Sequence, residues 1–429
     1  REQLLLDYHN ALDIEAYKRA WALAIETYPI LRTSFNWDEE VIQIIHEQGN
    51  LSFTYHDIRK TNDKEKAIEQ IQADDRTVGF DLQSPTLLRL HLIQQDALHF
   101  TLLKCEHHSI SDGWSGPVLL KQVHQYYTAL CQGNSCSVVV DTAYPKTQVY
   151  IARYHRSARS YWDEVLSHVD TVNDLNMLLS HRTNLDAART VVHPKEARVV
   201  LDGTTYEGLK VLGRTEGVTL HTLMQFAWHK LIQIYTRDEQ TIVGTTVSGR
   251  TLPVPGIESS VGLYINTLPL VIDWGARTVL AQLQQIETHV SALNEHCYTN
   301  LASLQSEGRR LFHSLLVFEN YPEENNTSSD MLQFSYRAGI EKTDYPLTLI
   351  ACTQDKALHL TLKHDDACLT TDKATALLTQ LQRILEQIPS VLEEMHDEIT
   401  LLSKHAYQTI VYDWNKTDKS YPSDKPIHQ

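Results

Sequence analysis

Apolar residues recur at helical spacing along some stretches of the chain and alternate or run together along others. Tyr17, Trp21 and Ile25 share one face of the first helical stretch. Asp13 is placed to cap its N-terminus and Pro29 to end it, so we predict an amphipathic helix over 13–28. The next predicted elements are a hairpin over 31–37 and 41–47, a polar-faced helix over 66–75, two strands within 87–110 joined at Gln94–Asp96, and a helix over 117–131.

A second run of strands and helices follows a stretch in which the periodicity is lost. The elements predicted there are a loop over 132–147, a helix around Ser157–Leu166, an irregular polar segment over 171–195, a strand over 197–201, helices over 204–216 and 219–235, and a strand over 241–247. Both halves mix helices with strands, although no sequence repeat relates them. The chain therefore predicts an α/β protein of two lobes that meet near 155–195.

Composition narrows the classes of protein to which the chain can belong. Lys and Arg number 38 against 54 Asp and Glu, which gives a net charge of −16, and 42% of the 429 residues are hydrophobic. That apolar content is typical of a globular protein. Nucleic-acid binding is disfavoured because it draws on clustered Lys and Arg, and no apolar run approaches the roughly 20 residues of a membrane span. The N-terminus lacks a secretory signal and the six cysteines form no CxxC pair, so we expect a cytoplasmic protein with reduced thiols.

One adjacent pair stands out among the 22 histidines. His107 and His108 follow the second strand predicted within 87–110 and precede Asp112-Gly113, which is a turn signal. On a continuing strand the two imidazoles would point to opposite faces, one towards a cleft and one into the lobe. Three interpretations are open: a structural pair, a metal site, and a histidine that positions or accepts a proton. The HExxH spacing of zinc proteases and the GxSxG of serine hydrolases are both absent from the sequence.

The segment around this pair resembles a motif of a known enzyme family. Residues 107–113, HHSISDG, match the HHxxxDG motif of the condensation domains of nonribosomal peptide synthetases, within the chloramphenicol-acetyltransferase-like superfamily. Other stretches resemble the LRTxF, GxxxSGR, GxxxNTxPL and FENYP segments of that family, in the same order. They are Leu31–Phe35, Gly244–Arg250, Gly262–Leu270 and Phe318–Pro322. The resemblance covers nearly the whole chain.

The resemblance implies a fold and a division of the chain. The fold is α/β, with two chloramphenicol-acetyltransferase-like lobes in a V-shaped pseudo-dimer around a central tunnel. We therefore expect an N-terminal lobe over 1–160, a C-terminal lobe over 161–400, and a linker towards an adenylation domain over 401–429. Residues 246–265 would form a floor loop under the tunnel, and 337–347 a latch that reaches the first lobe. The family's usual opening segment is missing, so the start of a full domain is expected upstream.

The resemblance also implies a reaction. An upstream carrier protein presents an acyl or peptidyl thioester, a downstream carrier presents an aminoacyl thioester, and the downstream amine attacks the upstream carbonyl to form an amide. The phosphopantetheine arms belong to the carriers, so no permanently bound cofactor and no metal are expected. The domain on its own is expected to be monomeric.

Two other functions stay open at this point. An epimerisation domain shares HHxxxDG but removes and returns an α-proton, and a non-catalytic docking platform would only recruit a partner. The intact motif and the linker-like C-terminus, which ends in WNKTDKSYPSDKPIHQ, favour condensation. The family's HQDxPFE segment is replaced at 296–301, which leaves the donor's stereochemistry open, with a preference for an L-donor.

The resemblance gives roles to the residues of the motif. His108 is expected at the reacting centre, where it positions the amine and accepts its proton, and His107 supports it. Asp112 is expected to be buried and paired with an arginine that holds the loop in shape, rather than to act as a catalytic acid. Arg32 and Arg250 both lie in matched segments, and the sequence does not choose between them. The remaining histidines are expected to be ordinary surface and core residues.

The neighbours of these residues are expected to shape the site. Gly113 places no Cβ near the reacting carbonyl and can offer its N–H to the carbonyl oxygen. Trp114 and Ser115 are expected to line the tunnel. Tyr264 and Asn266 belong to the floor-loop region, where Asn266 is expected to hold backbone.

Overall fold

The computed structural model describes residues 2–417 except 170, 189, 202, 306–308, 320–331 and 341–343. In the first half of the chain the strands are β1 Glu2–Tyr8, β2 Thr33–Asn36, β3 Ile42–Ile45, β4 Ser52–Asp57, β5 Leu88–Gln94 and β6 Phe100–Glu106. The helices are α1 Ile14–Thr27, α2 Lys64–Thr77, α3 Ser115–Cys131 and α4 Ala143–Ser167. The Asp13 side chain accepts a hydrogen bond from the Ala16 N–H, so the predicted cap of α1 is confirmed.

The last helix of this half is longer than predicted. α4 begins at Ala143, so the end of the stretch predicted as a loop over 132–147 is helical. Pro145 lies in the first turn, where the missing N–H of a proline removes no intrahelical hydrogen bond. Helical structure runs through residue 160, so the boundary expected there falls inside α4.

The second half repeats the mixture of strands and helices. Its strands are β7 Pro194–Leu201, β8 Gln240–Val247, β9 Asn266–Asp273, β10 Ser314–Glu319, β11 Phe334–Ile340, β12 Leu347–Gln354 and β13 Ala357–Asp365. Its helices are α5 Gly203–Glu216, α6 Leu220–Thr236, α7 Val279–Glu295, α8 Leu301–Leu304, α9 Thr371–Gln387 and α10 Lys404–Tyr407. Helical structure continues through 408–413, inside the expected linker, and 418–429 lie outside the described residues. Across the described ranges, no helix is both long and apolar enough to cross a bilayer.

Two large sheets organise the described strands. The first has the order β11-β1-β6-β5-β4 and the second β7-β13-β12-β10-β8-β9, while β2 and β3 form the predicted hairpin. β11 comes from the second half of the chain but pairs antiparallel with β1, with Leu5 opposite Ala338. The second half of the chain thus adds a strand to the first sheet at 334–340, a range that overlaps the start of the expected latch at 337–347. Of the rest of that segment, 341–343 lie outside the described residues.

The first sheet is covered on both faces. Leu103 and Cys105 of β6 pack with Ile68 of α2 on one face. Phe100 and Leu102 point to the opposite face and join the core formed with α1 and α3. Because every residue of β6 is buried, the segment that follows it starts from a rigid and enclosed strand.

Candidate active site

The motif loop, which we define as residues 107–114, connects β6 to α3. β6 ends at Glu106, so both histidines lie beyond the strand, and the expectation that they alternate across a sheet is wrong. The chain leaves the sheet through a turn over 107–110, in which the Ile110 N–H donates to the His107 carbonyl (3.1 Å). The His107 N–H still donates to the carbonyl of Leu87 (3.0 Å), the residue before β5, which anchors the loop to the start of that strand.

His108 has a defined tautomer. Its Nδ1 lies 2.8 Å from the Ser111 carbonyl oxygen, and a carbonyl can only accept, so Nδ1 carries the hydrogen. In the neutral ring Nε2 is then the basic nitrogen. A half-buried imidazole held this way can take a proton through Nε2 without losing its anchor.

His107 has the opposite arrangement. The Ser109 N–H donates to its Nδ1 (3.2 Å), and the Ser109 hydroxyl lies 2.8 Å from the same nitrogen. Nδ1 is therefore the acceptor, and the edge of the ring meets Phe80 with centroids 6.2 Å apart. These contacts suit a residue that shapes the turn beside His108.

The Asp112 carboxylate is the most heavily bonded group of the loop. It is 3% exposed and accepts five hydrogen bonds. Oδ1 receives the N–H of Ser115 (2.9 Å), the Ser115 hydroxyl (2.7 Å) and Nη2 of Arg250 (3.1 Å). Oδ2 receives the N–H groups of Tyr264 (2.9 Å) and Ile265 (3.2 Å). This carboxylate therefore joins the first lobe to the segment over 248–265, which we call the crossing loop.

Arg250, rather than Arg32, is the arginine that contacts Asp112. Its Nη1 also donates to the carbonyls of Ile257 (2.6 Å) and Ser260 (2.9 Å). The guanidinium therefore also connects the two ends of the crossing loop with each other. Arg32 supports a different part of the chain, because its Nη1 donates to the His46 carbonyl (2.6 Å) beside the β2–β3 hairpin. The expectation that Arg32 supports the site is corrected.

Ser115 has a different position from the one expected. It is fully buried and so does not line an open tunnel. Its hydroxyl lies within hydrogen-bond distance of Asp112, of Arg250 (2.9 Å) and of both the carbonyl (2.8 Å) and the N–H (3.0 Å) of Gly262. Ser115 thus links the start of α3 to the crossing loop.

Two aromatic residues expected at the tunnel or its floor make contacts between segments. The Trp114 Nε1–H donates to the Glu258 carbonyl (2.9 Å). Tyr264 is buried, its ring lies 4.2 Å from the Arg250 guanidinium, and its hydroxyl lies 2.6 Å from that of Ser260. Burial raises the pKa of Tyr264, so it stays a neutral phenol.

Asn266 and two glycines complete the site. The Asn266 amide donates to the carbonyls of Cys297 and Thr299, at 2.7 Å each, so it does hold backbone. Gly249 has φ +65°, and a Cβ there would overlap the Tyr264 carbonyl, which explains a glycine at this position. Gly113 is half-buried at the turn of the motif loop.

A cavity of about 1130 Å³ opens beside the motif loop. One side is α3 from Pro117 to Thr128, and the others are 139–143, the crossing loop at 255–259, and Phe334 at the start of β11. Because both lobes contribute to its wall, we call it the interlobe cavity. Its wall includes Pro117, three residues after the motif loop, and Glu258, whose carbonyl accepts from Trp114.

His124 is a residue of this cavity that the sequence analysis missed. Its Nε2 lies 2.8 Å from the Tyr8 hydroxyl, and its ring packs against Phe334 with centroids 4.8 Å apart. Burial lowers the pKa of His124 to about 4. The sequence shows only a histidine within a predicted helix, and no local pattern reveals that β1 and β11 close over it.

One cluster away from the motif loop has side chains that metals use. Asp75, His91 and Cys105 place ligand atoms within 4.8 Å of one another. Asp75 already accepts from Nε of Arg89 (2.7 Å) and Nε2 of Gln3 (3.1 Å). Burial would raise the pKa of Asp75, but hydrogen bonds from His91 and Arg89 outweigh it and lower that pKa. Because a guanidinium neutralises the carboxylate, the cluster is accounted for as a buried polar network, and the absence of a metal stays a prediction.

Comparison with known proteins gives the chain a context. A family model described as Condensation domain matches residues 1–411. N-(5-amino-5-carboxypentanoyl)-L-cysteinyl-D-valine synthase of Amycolatopsis lactamdurans is 34% identical over 98% of this chain and 12% of its own length. The synthase of the same name from Penicillium rubens is 30% identical over 100% of this chain and 12% of its own. Bacitracin synthase 3 of Bacillus licheniformis is 28% identical over 100% of this chain and 7% of its own length. The chain thus spans about an eighth or less of these relatives.

Solved structures share the fold at lower sequence identity. The X-domain from teicoplanin biosynthesis superposes with a TM-score of 0.78 at 19% identity, covering 94% of this chain and 93% of that one. The starter condensation domain of rhizomide synthetase gives a TM-score of 0.75 at 16% identity, covering 94% and 92%. The predicted α/β fold is confirmed, whereas the V shape and the central tunnel stay predictions.

Proposed function

Because this chain belongs to the condensation-domain family of nonribosomal peptide synthetases, we propose that it carries out the family's function, peptide bond formation. The donor is an acyl or peptidyl thioester and the acceptor is the amine of an aminoacyl thioester. The nitrogen–carbon bond forms and the carbon–sulfur bond breaks. The proton lost by the amine balances the thiolate that leaves, so the products are an amide and a free thiol on the upstream carrier.

The defined tautomer of His108 is the observation that carries this proposal. With Nδ1–H bonded to the Ser111 carbonyl, Nε2 is the nitrogen of the neutral ring that can accept a proton. A free α-amine has a pKa of about 7.7–8.0, so part of it is already neutral near pH 7.5, and it becomes strongly acidic only as it bonds to carbon. A base at that moment contributes roughly 10²–10⁴-fold. Holding two tethered reactants together contributes on the order of 7–11 kcal/mol. His108 therefore orients the amine first and accepts its proton second.

The residues around His108 act by holding the motif loop. Asp112 makes a buried charge pair with Arg250 and, with Ser115, ties the loop to the crossing loop. Removing one partner of such a pair leaves an uncompensated buried charge. Gly113 brings its backbone close to the reacting carbonyl and can donate its N–H to the oxygen. Asp112, Arg250 and Ser115 are positioning residues in this scheme.

The partners follow from the reaction. Condensation domains work with carrier protein domains in multidomain synthetases. For this chain we propose an upstream and a downstream carrier whose phosphopantetheine arms bring the substrates, and an adenylation domain after the linker. The two synthases that share a name above make a product in which an acyl group is joined to cysteine and valine, which supports amino-acid acceptors here. We further propose that the domain is cytoplasmic and monomeric on its own.

Reconstitution with two loaded carrier proteins tests the function. Wild type is expected to form a dipeptidyl thioester on the downstream carrier, detected by mass spectrometry of the intact carrier. His108→Ala should lower the rate by roughly 10²–10⁴-fold and leave some activity, because positioning by other groups remains. The matched control is His289→Ala in the second lobe, a half-buried histidine whose Nδ1 also meets a carbonyl, that of Val271, at 3.2 Å.

Two outcomes would contradict condensation. If wild type scrambles the α-carbon of the upstream residue without forming a bond, the chain is an epimerisation domain. If neither reaction occurs while both carriers bind, the chain is a docking platform; an X-domain of the same fold is described in a complex with OxyB.

A further inference from the structure

One face of α4 is exposed along much of the helix. The residues of that face recur at intervals of three and four, and all of them are exposed: Lys146, Val149, Arg153 and Arg156. Val149 is 68% exposed, which is a large fraction for an apolar side chain. The opposite face is buried, at Tyr144, Thr147, Ala158 and Trp162. We call the exposed face, formed by Lys146, Val149, Arg153 and Arg156, the basic stripe.

The charge of the stripe is opposite to that of the whole chain. The chain has a net charge of −16, yet residues 142–162 contain four Lys or Arg and no Asp or Glu. Within the described residues, the ion pairs of α4 involve Arg159, which meets Asp163 at 2.8 Å, and neither Arg153 nor Arg156. The stripe is therefore a positive surface on a negative protein, and two of its guanidiniums can receive an anion.

The residues beside the stripe are of the kind that protein interfaces use. The rings of Tyr150 and Tyr154 have centroids 4.5 Å apart, and the Arg153 guanidinium lies 5.5 Å from the Tyr154 ring. Residues 152–157 are all exposed, and six consecutive residues cover the whole circumference of a helix, so no side of this part of α4 is buried. Arg and Tyr are enriched where proteins bind one another. This composition on a bare helix is typical of a surface that another protein covers.

The two arginines indicate the chemistry of the partner. Arg153 and Arg156 are three residues apart on the helix, so both guanidiniums can contact the same group. Arginine binds phosphate through two parallel N–H donors and keeps its charge at any pH at which the protein is folded. An anion of phosphate type, presented by another protein, therefore fits this pair.

The position of the stripe relates it to the interlobe cavity. Ala143, at the start of α4, lies in the wall of that cavity. Arg153 and Arg156 follow it by ten and thirteen residues, or about 15–20 Å along the helix axis. In the proposed function, a carrier brings its substrate on a phosphopantetheine arm, which is joined to the carrier through a negatively charged phosphodiester. That phosphodiester has to stay outside the cavity, within one arm's length of its wall.

We propose that the basic stripe is a docking surface for a carrier protein domain, with Arg153 and Arg156 on the phosphodiester of its arm and Val149 against the carrier itself. The inference rests on the proposed function for the identity of that partner. Because the chain is acidic overall, an anionic group is repelled from most of its surface and attracted to the stripe. Such complementarity guides the encounter and selects the orientation in which the arm enters the cavity.

Carrier binding tests the docking surface without any peptide bond formation. The upstream and the downstream carrier are each prepared with the phosphopantetheine arm and without it, and their affinities are measured by calorimetry at low salt. The double variant Arg153→Gln and Arg156→Gln should bind one of the arm-bearing carriers about 5- to 30-fold more weakly, because it loses two exposed charge pairs. Its affinity for the same carrier without the arm should equal that of wild type.

A second double variant separates the effect of the stripe from that of net charge. Lys210→Gln and Arg214→Gln on α5 remove the same charge from another helix, and this control should bind both carriers as wild type does. Raising the ionic strength should weaken binding of the arm-bearing carrier to wild type more than to the stripe variant. The urea midpoint of the stripe variant should match that of wild type, because both of its substituted residues are exposed.

Several outcomes would overturn the docking surface. Unchanged affinity of the stripe variant for both arm-bearing carriers does so, as does a wild type that binds neither of them at low salt. An equal loss with and without the arm overturns the contact between the arginines and the phosphodiester. If the variant weakens binding of a separate adenylation domain and leaves carrier binding unchanged, the stripe belongs to that domain instead. A wild type that binds both carriers but makes no dipeptide contradicts the proposed function, whereas the stripe is judged by the affinities alone.

Discussion

At the scale of single residues, the carboxylate of Asp112 is irreplaceable because of the number of hydrogen bonds that it accepts. Its two oxygens take five hydrogen bonds from the first lobe and the crossing loop, one of them from Arg250. An asparagine offers one oxygen and turns an NH₂ group towards the donors of Tyr264 or Ser115. It would also remove the negative charge opposite a buried guanidinium.

We therefore expect Asp112→Asn to lower both stability and activity. Breaking a buried ion pair costs about 3–5 kcal/mol, which urea unfolding would measure. The matched control is Asp57→Asn, which loses an exposed pair with Arg59 (2.7 Å) and should change stability by less than about 1 kcal/mol. A loss of rate with unchanged unfolding would show that Asp112 acts in the chemistry and not in the shape of the loop.

At the scale of elements, β11 attaches the second half of the chain to the first sheet. Besides its pairing with β1, Arg337 of β11 places Nε 2.7 Å from Asp7 and Nη1 3.0 Å from Glu65. Asp7 is largely buried, so this pair is stronger than a surface one. Phe334 of the same strand lines the interlobe cavity. Loosening β11 would therefore disturb the cavity as well as the sheet.

Arg337→Ala should release this strand locally. A charged hydrogen bond of this kind contributes roughly 1–2 kcal/mol, so the amides of 334–340 should exchange about 5- to 30-fold faster with deuterium. Mass spectrometry of the peptides covering β11 measures the change. The control Arg198→Ala removes an exposed pair with Glu196 on β7 and should leave that exchange as it is. Equal exchange in wild type and Arg337→Ala would show that strand pairing alone holds β11.

At the scale of the whole molecule, both lobes contain histidines that folding keeps neutral. Burial lowers the pKa of His124 to about 4, of His221 to about 4 and of His229 to about 3. In the unfolded chain these groups have pKa values of about 6.5. Between those values the unfolded state binds more protons than the folded one. The stability from these histidines is therefore present above about pH 6.5 and is lost as the pH falls towards 4.

The urea midpoint should accordingly fall between about pH 7 and about pH 4.5. Carboxylates contribute to acid unfolding too, so the histidine contribution is isolated with His229→Gln. This variant is expected to be less stable at neutral pH, but its urea midpoint should depend less steeply on pH. His181→Gln, at an exposed site, should keep the wild-type dependence of the urea midpoint on pH. Parallel curves for wild type and His229→Gln would exclude His229 as a source of the acid sensitivity.

The sequence by itself determined the local elements and the motif. Helix and strand positions follow from apolar spacing and from caps such as Asp13, because these signals report the geometry of neighbouring residues. The HHxxxDG motif and its companion segments led to the family for the same reason. α4 was predicted too short because a proline in a first turn and one near a loop look alike in sequence.

Only the tertiary structure decided which distant residues meet. Arg250 lies 138 positions from Asp112, and nothing in the local pattern favoured it over Arg32. Tyr8 and His124 are 116 positions apart, so neither the contact between them nor the place of that histidine in a cavity could be predicted. The physical reason is that periodicity records which face of an element is buried, whereas the partner on the other side depends on how the sheets and the crossing loop close around it.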